Sequence, residues 1–293
     1  MNKGTRRAFF FIFGVTLLFS PASLLSQQLL QANRLQQLIL SGSQMFPSWS
    51  GDGRMVFQSG EKGRENIFLY NPAKDTVVAL TTDSSDEQHP VWVPGKEAVV
   101  YDADHGDGIR LYYLSLKTGK EHSLIPRKIA CREASFTPSR HLVVFSGFDD
   151  RSQKWQIFSY DFVYGNLNRL TNEKGNCSFP VFSPDGKKIA YVARDDDGRT
   201  ELRIINWYGE LLKTVKENVQ GRVSWSSDGW RILFVSAKDK MFSISSIRND
   251  GSHEKEIFAS SHPLCCPAIQ PFNKKLTFSM KNKKNFHIFT FLK

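Results

Sequence analysis

Several classes of function lack support because the sequence lacks their motifs. No G-x-S-x-G nucleophile motif occurs among the 293 residues, and the HEKEI stretch that begins at His253 has no second histidine to complete a zinc-protease helix. The histidines are scattered, and the four cysteines show no C-x-x-C spacing. We therefore expect no catalytic residues, no metal site and no cofactor.

Long apolar runs are also lacking. The most apolar stretch, Ala8 to Phe19, has twelve residues, follows a basic start and is ended by Ser20-Pro21-Ala22. This is the layout of a secretory signal peptide and is too short for an ordinary membrane span. We expect residues 1–26 to be a signal peptide, with an uncleaved anchor as the alternative. The mature chain is then expected in the periplasm, or else secreted or exposed at the cell surface, with no transmembrane span after cleavage.

Acidic residues are outnumbered, since 39 Lys and Arg stand against 29 Asp and Glu, for a net charge of +10. Part of the excess lies at the end of the chain: Lys274, Lys275, Lys281, Lys283, Lys284 and Lys293. A basic surface can attract nucleic acid or anionic lipid. In an exported protein a solvated basic face is the simpler interpretation, so we expect a monomer with no nucleic acid partner.

A repeat fills the rest of the chain. Six related segments, such as FPSWSGDGRMVFQS from Phe46 and PVFSPDGKKIAYVA from Pro180, align on one mostly aromatic column: Trp49, Trp92, Phe136, Phe182, Trp225 and Ile269. The steps are 43, 44, 46, 43 and 44 residues. Each unit holds four short strands, and the second strand is apolar on both faces, as expected where sheets pack face to face. The sequence therefore predicts an all-β protein, a six-bladed β-propeller of four-stranded antiparallel blades.

Two features of the repeat have structural interpretations. Asp185 is the third residue of the turn Ser183-Pro184-Asp185-Gly186, where a carboxylate can accept nearby backbone N–H groups, so we expect it to hold the turn. The sixth repeat lacks an outermost strand. We expect residues 37–40 to supply it and to close the ring, which removes an exposed sheet edge. The propeller then spans residues 37–293, preceded by a short segment at 27–36.

The units FSPDGKKIAYVARDDDGRTELRII and WSGDGRMVFQSGEKGRENIFLYN closely resemble the repeat of the TolB-like propeller family, which includes periplasmic components of Tol–Pal systems. The resemblance covers the propeller alone, since the separate domain that precedes it in TolB has no counterpart here. It implies a partner protein, such as an envelope protein or lipoprotein, bound on the face around the channel mouth. The same repeat occurs in prolyl-oligopeptidase-like enzymes, so a carbohydrate- or peptide-binding propeller with hydrolase activity is the alternative.

The strand order points to the same face. The loops between second and third strands share it with the linkers that lead into each blade. The predicted partner-binding residues, just ahead of the aromatic column, are Met45, His89, Arg132, Phe179, Arg222 and Leu264. Aromatic, Arg and Met side chains are typical of interfaces. They could equally cap the channel.

The hairpin tips of this face are sorted by charge. Acidic tips occur in the second to fourth blades (Asp102, Asp104, Asp107, Asp149, Asp150, Asp195, Asp196 and Asp197) and basic tips in the last two (Lys238, Lys240, Lys281, Lys283 and Lys284). Opposed charge could orient a partner, although such residues are common at exposed tips. The acidic tip at Asp195 to Asp197 lacks the spaced ligands of a calcium loop.

The cysteines are expected near the channel mouth. Equivalent positions in neighbouring blades are too far apart for an unstrained disulfide, which needs Cα atoms within about 7 Å. We therefore expect mostly free thiols at Cys131, Cys177, Cys265 and Cys266.

Overall fold

A computed structural model describes residues 35–38, 42–61, 63–82, 84–126, 128–271 and 274–291. Within these ranges the chain forms six four-stranded antiparallel sheets and no helix. Accordingly, nothing in this part of the chain is a helix long and apolar enough to cross a membrane. The predicted six-bladed propeller is confirmed.

Five blades are built from consecutive strands, counted outward from the channel. They are β2 (Ser43–Trp49), β3 (Met55–Glu61), β4 (Arg64–Asn71) and β5 (Thr76–Ala79); β6 (Gln88–Trp92), β7 (Ala98–Ala103), β8 (Arg110–Ser115) and β9 (Glu121–Ser123); β10 (Cys131–Phe136), β11 (Leu142–Asp149), β12 (Lys154–Asp161) and β13 (Leu167–Arg169); β14 (Asn176–Phe182), β15 (Lys188–Arg194), β16 (Thr200–Asn206) and β17 (Leu211–Glu217); and β18 (Val219–Trp225), β19 (Arg231–Lys238), β20 (Met241–Arg248) and β21 (Lys255–Ser260).

The sixth blade joins the two ends of the propeller. It contains β22 (Leu264–Ile269), β23 (Leu276–Asn282) and β24 (Asn285–Phe291), and its outer strand is β1 (Leu35–Gln37). Leu35 pairs with Phe291 and Gln37 with Phe289, so closure by an N-terminal strand is confirmed.

The closing strand begins two residues earlier than the predicted stretch 37–40, of which 39 and 40 lie outside the described residues. Packing explains this register. Leu35 packs into the core between the fifth and sixth blades, and Leu38 into the core between the sixth and first. Pairing in this register therefore covers part of both leucine side chains.

The core consists of separate layers between blades. Within the described ranges there are six apolar clusters, one for each pair of neighbouring blades. The second strands supply both sides of these layers: every residue of β7 is buried, with Val100 facing the third blade and Tyr101 the first. This is why those strands do not alternate between apolar and polar residues.

The repeated turn is structural, as predicted. The Ser183 hydroxyl donates to Asp185 Oδ1 at 2.6 Å, and the Lys187 N–H donates to the same oxygen at 3.1 Å. The Ser183 hydrogen bond lowers the pKa of Asp185. Gly186 has a φ of 71°, the left-handed backbone that glycine adopts without strain.

Indole groups of the aromatic column connect neighbouring blades. Trp92 Nε1 donates to the Ser48 carbonyl of the first blade at 3.1 Å, and Trp225 Nε1 donates to the Val181 carbonyl of the fourth at 3.0 Å. The inner strand of a blade has a sheet neighbour on one side only. These bonds therefore give a carbonyl of that strand a partner from the next blade.

Candidate functional site: the propeller channel

All six inner strands are bulged near the same point. The pairing register with the second strand shifts there in every blade. Residues with left-handed backbone lie at the shifts: Phe46 (φ 55°), His89 (50°), Glu133 (60°), Phe179 (53°), Gly221 (63°) and Cys266 (57°). Non-glycine residues in this conformation are uncommon and mark places where a bulge redirects a side chain.

Proline signals the bulges in the sequence. In four inner strands the left-handed residue is followed directly by proline: Pro47, Pro90, Pro180 and Pro267. Proline has no N–H for a sheet ladder, so inside a strand it is confined to edges and bulges. The sequence predicts the partner-binding residues at the channel mouth. The bulges lie deeper in the channel, since Phe46 and Phe179 are each the fourth residue of a seven-residue inner strand.

Three rings meet across the channel. The centroid of Phe46 lies 4.3 Å from that of His89 and 5.9 Å from that of Phe179, and the last two are 5.7 Å apart. Phe46 belongs to the first blade and Phe179 to the fourth, which stand opposite each other in a ring of six. The three side chains therefore form a plug inside the channel, which we call the aromatic plug.

A chain of hydrogen bonds links the bulges. The N–H of His89 donates to Gln58 Oε1 of the first blade at 3.0 Å, that of Glu133 to Asp102 Oδ1 of the second at 3.0 Å, and that of Phe179 to Glu133 Oε2 of the third at 2.7 Å. A bulge removes an N–H from its ladder, and here an acceptor of the preceding blade replaces the lost partner.

The carboxylates of Asp102 and Glu133 already have hydrogen-bond or ionic partners. Asp102 also contacts His89 Nδ1 at 3.0 Å, and Glu133 accepts the Ser146 hydroxyl at 2.6 Å and pairs with Arg132 Nε at 3.4 Å. Burial opposes a charged imidazole, but the charge and hydrogen bond of Asp102, helped by Glu133, raise the pKa of His89. Asp102 is thus a buried partner inside the channel wall and not an exposed tip, which corrects the sequence interpretation.

Arg222 is the exception among these charged groups. Within the described ranges no hydrogen-bond partner and no carboxylate oxygen within 4.0 Å is found for its guanidinium. Burial lowers the pKa of Arg222, while the charges of Cys266 and Glu133 oppose that shift. Its side chain lines a small cavity together with His89, Glu133 and Phe179.

Cys266 completes the ring. Burial disfavours its thiolate, but the Cys265 thiol, the Phe46 N–H and the positive charges of Arg222 and His89 together lower the pKa of Cys266.

Cys131 and Cys177 lie elsewhere, in the cores between blades, where burial raises the pKa of each to about 12. All four cysteines of the chain are thiols in the structure.

The predicted partner-binding residues divide into two groups. His89, Phe179 and Arg222 line the channel cavity. Met45, Arg132 and Leu264 precede the bulges of their own strands. Leu264 is 4% exposed and packs in the core between the fifth and sixth blades, while Arg132 stacks on the Trp155 ring at 4.2 Å. The matching channel residues of these blades are Phe46, Glu133 and Cys266.

The acidic and basic hairpin tips differ in their pairing. On the acidic side, ion pairs join Asp107 to Arg110, Asp149 to Arg169, Asp196 to Lys154 and Asp197 to Arg199. The basic tips contain a single aspartate, Asp239, beside five lysines: Lys238, Lys240, Lys281, Lys283 and Lys284. None of these five lysines has an ion pair within the described part of the chain. We call them the lysine arc.

The same part of the chain contains no group of three His, Cys, Asp or Glu side chains placed to hold a metal ion.

The fold and its repeat define the class of protein as a TolB-like six-bladed β-propeller. The curated relatives include the Tol-Pal system protein TolB of Francisella tularensis subsp. holarctica, 25% identical over 189 residues, which are 63% of this chain and 43% of that protein. The TolB of subsp. mediasiatica is 24% identical over the same length. The match thus spans less than half the length of these relatives. No family model matches the chain.

Solved structures show the same fold. TolB from Acinetobacter baumannii has a TM-score of 0.65 at 22% identity, covering 74% of this chain and 54% of that one. A putative TolB from Agrobacterium tumefaciens has a TM-score of 0.66 at 16% identity, covering 87% and 92%. An oligogalacturonate lyase in complex with manganese reaches 0.59 at 14% identity, covering 89% and 90%, so the architecture is shared with an enzyme. The TolB-like resemblance inferred from the repeats is confirmed.

Proposed function

We propose that the protein is an exported, non-catalytic propeller that binds an envelope protein on the face formed by the hairpins between second and third strands. The lysine arc carries this proposal. Four tip aspartates are paired with neighbouring cations, whereas within the described residues the five lysines of the arc have no ion pair and remain open to an outside partner. A partner with an acidic surface complements this arc.

The channel supports the same face. The lysine arc lies on the fifth and sixth blades, and Arg222 belongs to the inner strand of the fifth. An acidic partner that docks over these blades approaches the channel from the side that holds its unpaired cation. The TolB relatives, which by name belong to Tol–Pal systems, support a location in the periplasm and a partner in the envelope.

Photocrosslinking in the native host tests the face directly. A photoreactive amino acid at Lys240 or Lys283 samples the proposed face, and one at Tyr208 or Trp230 samples turns on the opposite face. We expect a protein adduct from the first pair only. Adducts from Tyr208 and Trp230 alone would place the partner on the wrong side. Fractionation of the same cells checks export.

Binding kinetics with the crosslinked partner test the charge argument. Changing the five lysines of the arc to glutamine should slow association at low salt by roughly ten-fold and flatten its salt dependence, because exposed charges mainly steer encounter. The matched control changes Lys96 and Lys187, in turns of the opposite face, to glutamine. Turnover of a carbohydrate or peptide substrate that His89→Gln abolishes would contradict the non-catalytic proposal.

A further inference from the structure

We propose that Arg222 is the base of a carboxylate socket, which receives an acidic group of the partner polypeptide inserted into the channel. This inference deepens the proposed function and rests on it. The first observation is that the guanidinium has no ion pair and no hydrogen bond within the described residues, although it is half-buried. A charge that is partly removed from water without a counter-ion is unfavourable, and an anionic ligand would supply the missing charge.

The neighbouring groups explain why the socket selects an anion. The carboxylates of Asp102 and Glu133 are held by two and three surrounding groups: Asp102 by the Glu133 N–H and the imidazole of His89, Glu133 by Ser146, Phe179 and Arg132. Neither turns to Arg222. Among the channel groups of the described residues, the guanidinium of Arg222 is therefore the cation that has neither an ion pair nor a hydrogen bond.

The size of the cavity limits what can reach Arg222. The space lined by His89, Glu133, Phe179 and Arg222 measures about 10 Å³, roughly what one water molecule needs. A sugar ring does not fit there. One oxygen of a carboxylate, at the tip of an acidic side chain or at a chain terminus, does fit, provided that the second oxygen and the rest of the ligand stay in the channel against the aromatic plug. A polypeptide segment meets this condition.

The planar guanidinium favours a carboxylate in particular. Arginine presents its donors as a fixed fork that matches the two oxygens of a carboxylate, and such charge-assisted pairs are stronger than neutral hydrogen bonds. The aromatic plug on one side excludes water from the pair. Together these features bind a carboxylate much better than the neutral amide of the same shape.

The first experiment uses the free protein and needs no partner. The NMR signal of the Arg222 Nε–Hε group, assigned with Arg222→Lys, is followed on addition of acetate, acetamide or chloride at matched ionic strength. We expect a saturable shift with acetate, none with acetamide, and at least ten-fold weaker binding of chloride. No shift with acetate, or equal binding of chloride, would overturn the socket. N-acetylaspartate amide and N-acetylglycine then distinguish a side-chain carboxylate from a terminal one.

The second experiment compares Arg222 with Arg132, an arginine that has an ion pair. Arg222→Met removes a charge that has no ion pair within the described residues. It should raise Tm by about 2 °C or more, because the free protein no longer bears the cost of holding this charge partly out of water. Arg132→Met removes a paired arginine and should lower Tm, since Glu133 loses its ion pair and Trp155 its cation. A fall in Tm for Arg222→Met would show a structural role. Crosslinking at Lys240 and Lys283 tests the docking face independently, so either idea can fail alone.

Discussion

Replacing Trp225 by phenylalanine should destabilise the propeller by about 2–4 kcal/mol. The indole Nε1 donates to the Val181 carbonyl of the fourth blade at 3.0 Å, and the side chain is only 7% exposed. The Val181 carbonyl is partly buried, and removing its donor costs about 1–3 kcal/mol. The smaller ring leaves a cavity that costs about 1 kcal/mol more.

Urea unfolding measures this free energy, and the same blade provides the control. Trp230 lies in the turn after β18 and is 67% exposed, so Trp230→Phe should stay within about 0.5 kcal/mol of the wild type. The slope of the unfolding curve should be unchanged in both variants, because neither alters the area exposed on unfolding.

Equal stability of Trp225→Phe and the wild type would refute the reasoning. Such a result would mean that neighbouring blades do not need the indole hydrogen bond. The fourth blade has phenylalanine, Phe182, at the equivalent position, and its Phe182 N–H donates to Ser135 Oγ of the third blade at 3.1 Å.

Two further predictions concern ring closure and pH. Deleting residues 1–38 removes β1 and leaves the edge of β24 unpaired, so Tm should fall and the protein should aggregate, whereas deletion of residues 1–34 should leave thermal unfolding unchanged. Burial opposes the charge on His89, but Asp102 and Glu133 outweigh burial and the repulsion of Arg132, so the folded pKa is raised. The resulting stability is fully present below the unfolded pKa of about 6.5 and is lost as pH rises through the folded pKa. His89→Gln should remove this part of the dependence of folding stability on pH. If the dependence is unchanged in the variant, groups other than His89 cause it.

Much of the fold could be predicted because the repeat is local and periodic. The even spacing of the aromatic column fixes the number of blades, and second strands that are apolar on both faces require sheets packed face to face. The turn at Asp185 follows from neighbouring residues, so its hydrogen bonds agree with the expectation. The register of the closing strand was less predictable, because packing of Leu35 and Leu38 against two different cores determines it.

The candidate site was only partly predictable. The aromatic column led to the inner strands, and three of the predicted residues, His89, Phe179 and Arg222, line the channel cavity. Counting residues could not reveal which side chain each bulge turns inward. Phe46 and Cys266 were missed for that reason, although the proline after each was a usable signal.

The sequence alone determined the blades, their turns and the sorting of charge along the hairpin tips, because each depends on residues close together in the chain. Only the tertiary structure decided which charges remain unpaired. Asp102 looked like an exposed tip and proved to be a buried partner of His89. Arg222 looked like any interface arginine and proved to have no ion pair within the described residues. Such pairing depends on side chains brought together around the channel from different blades, whose distances no local pattern records.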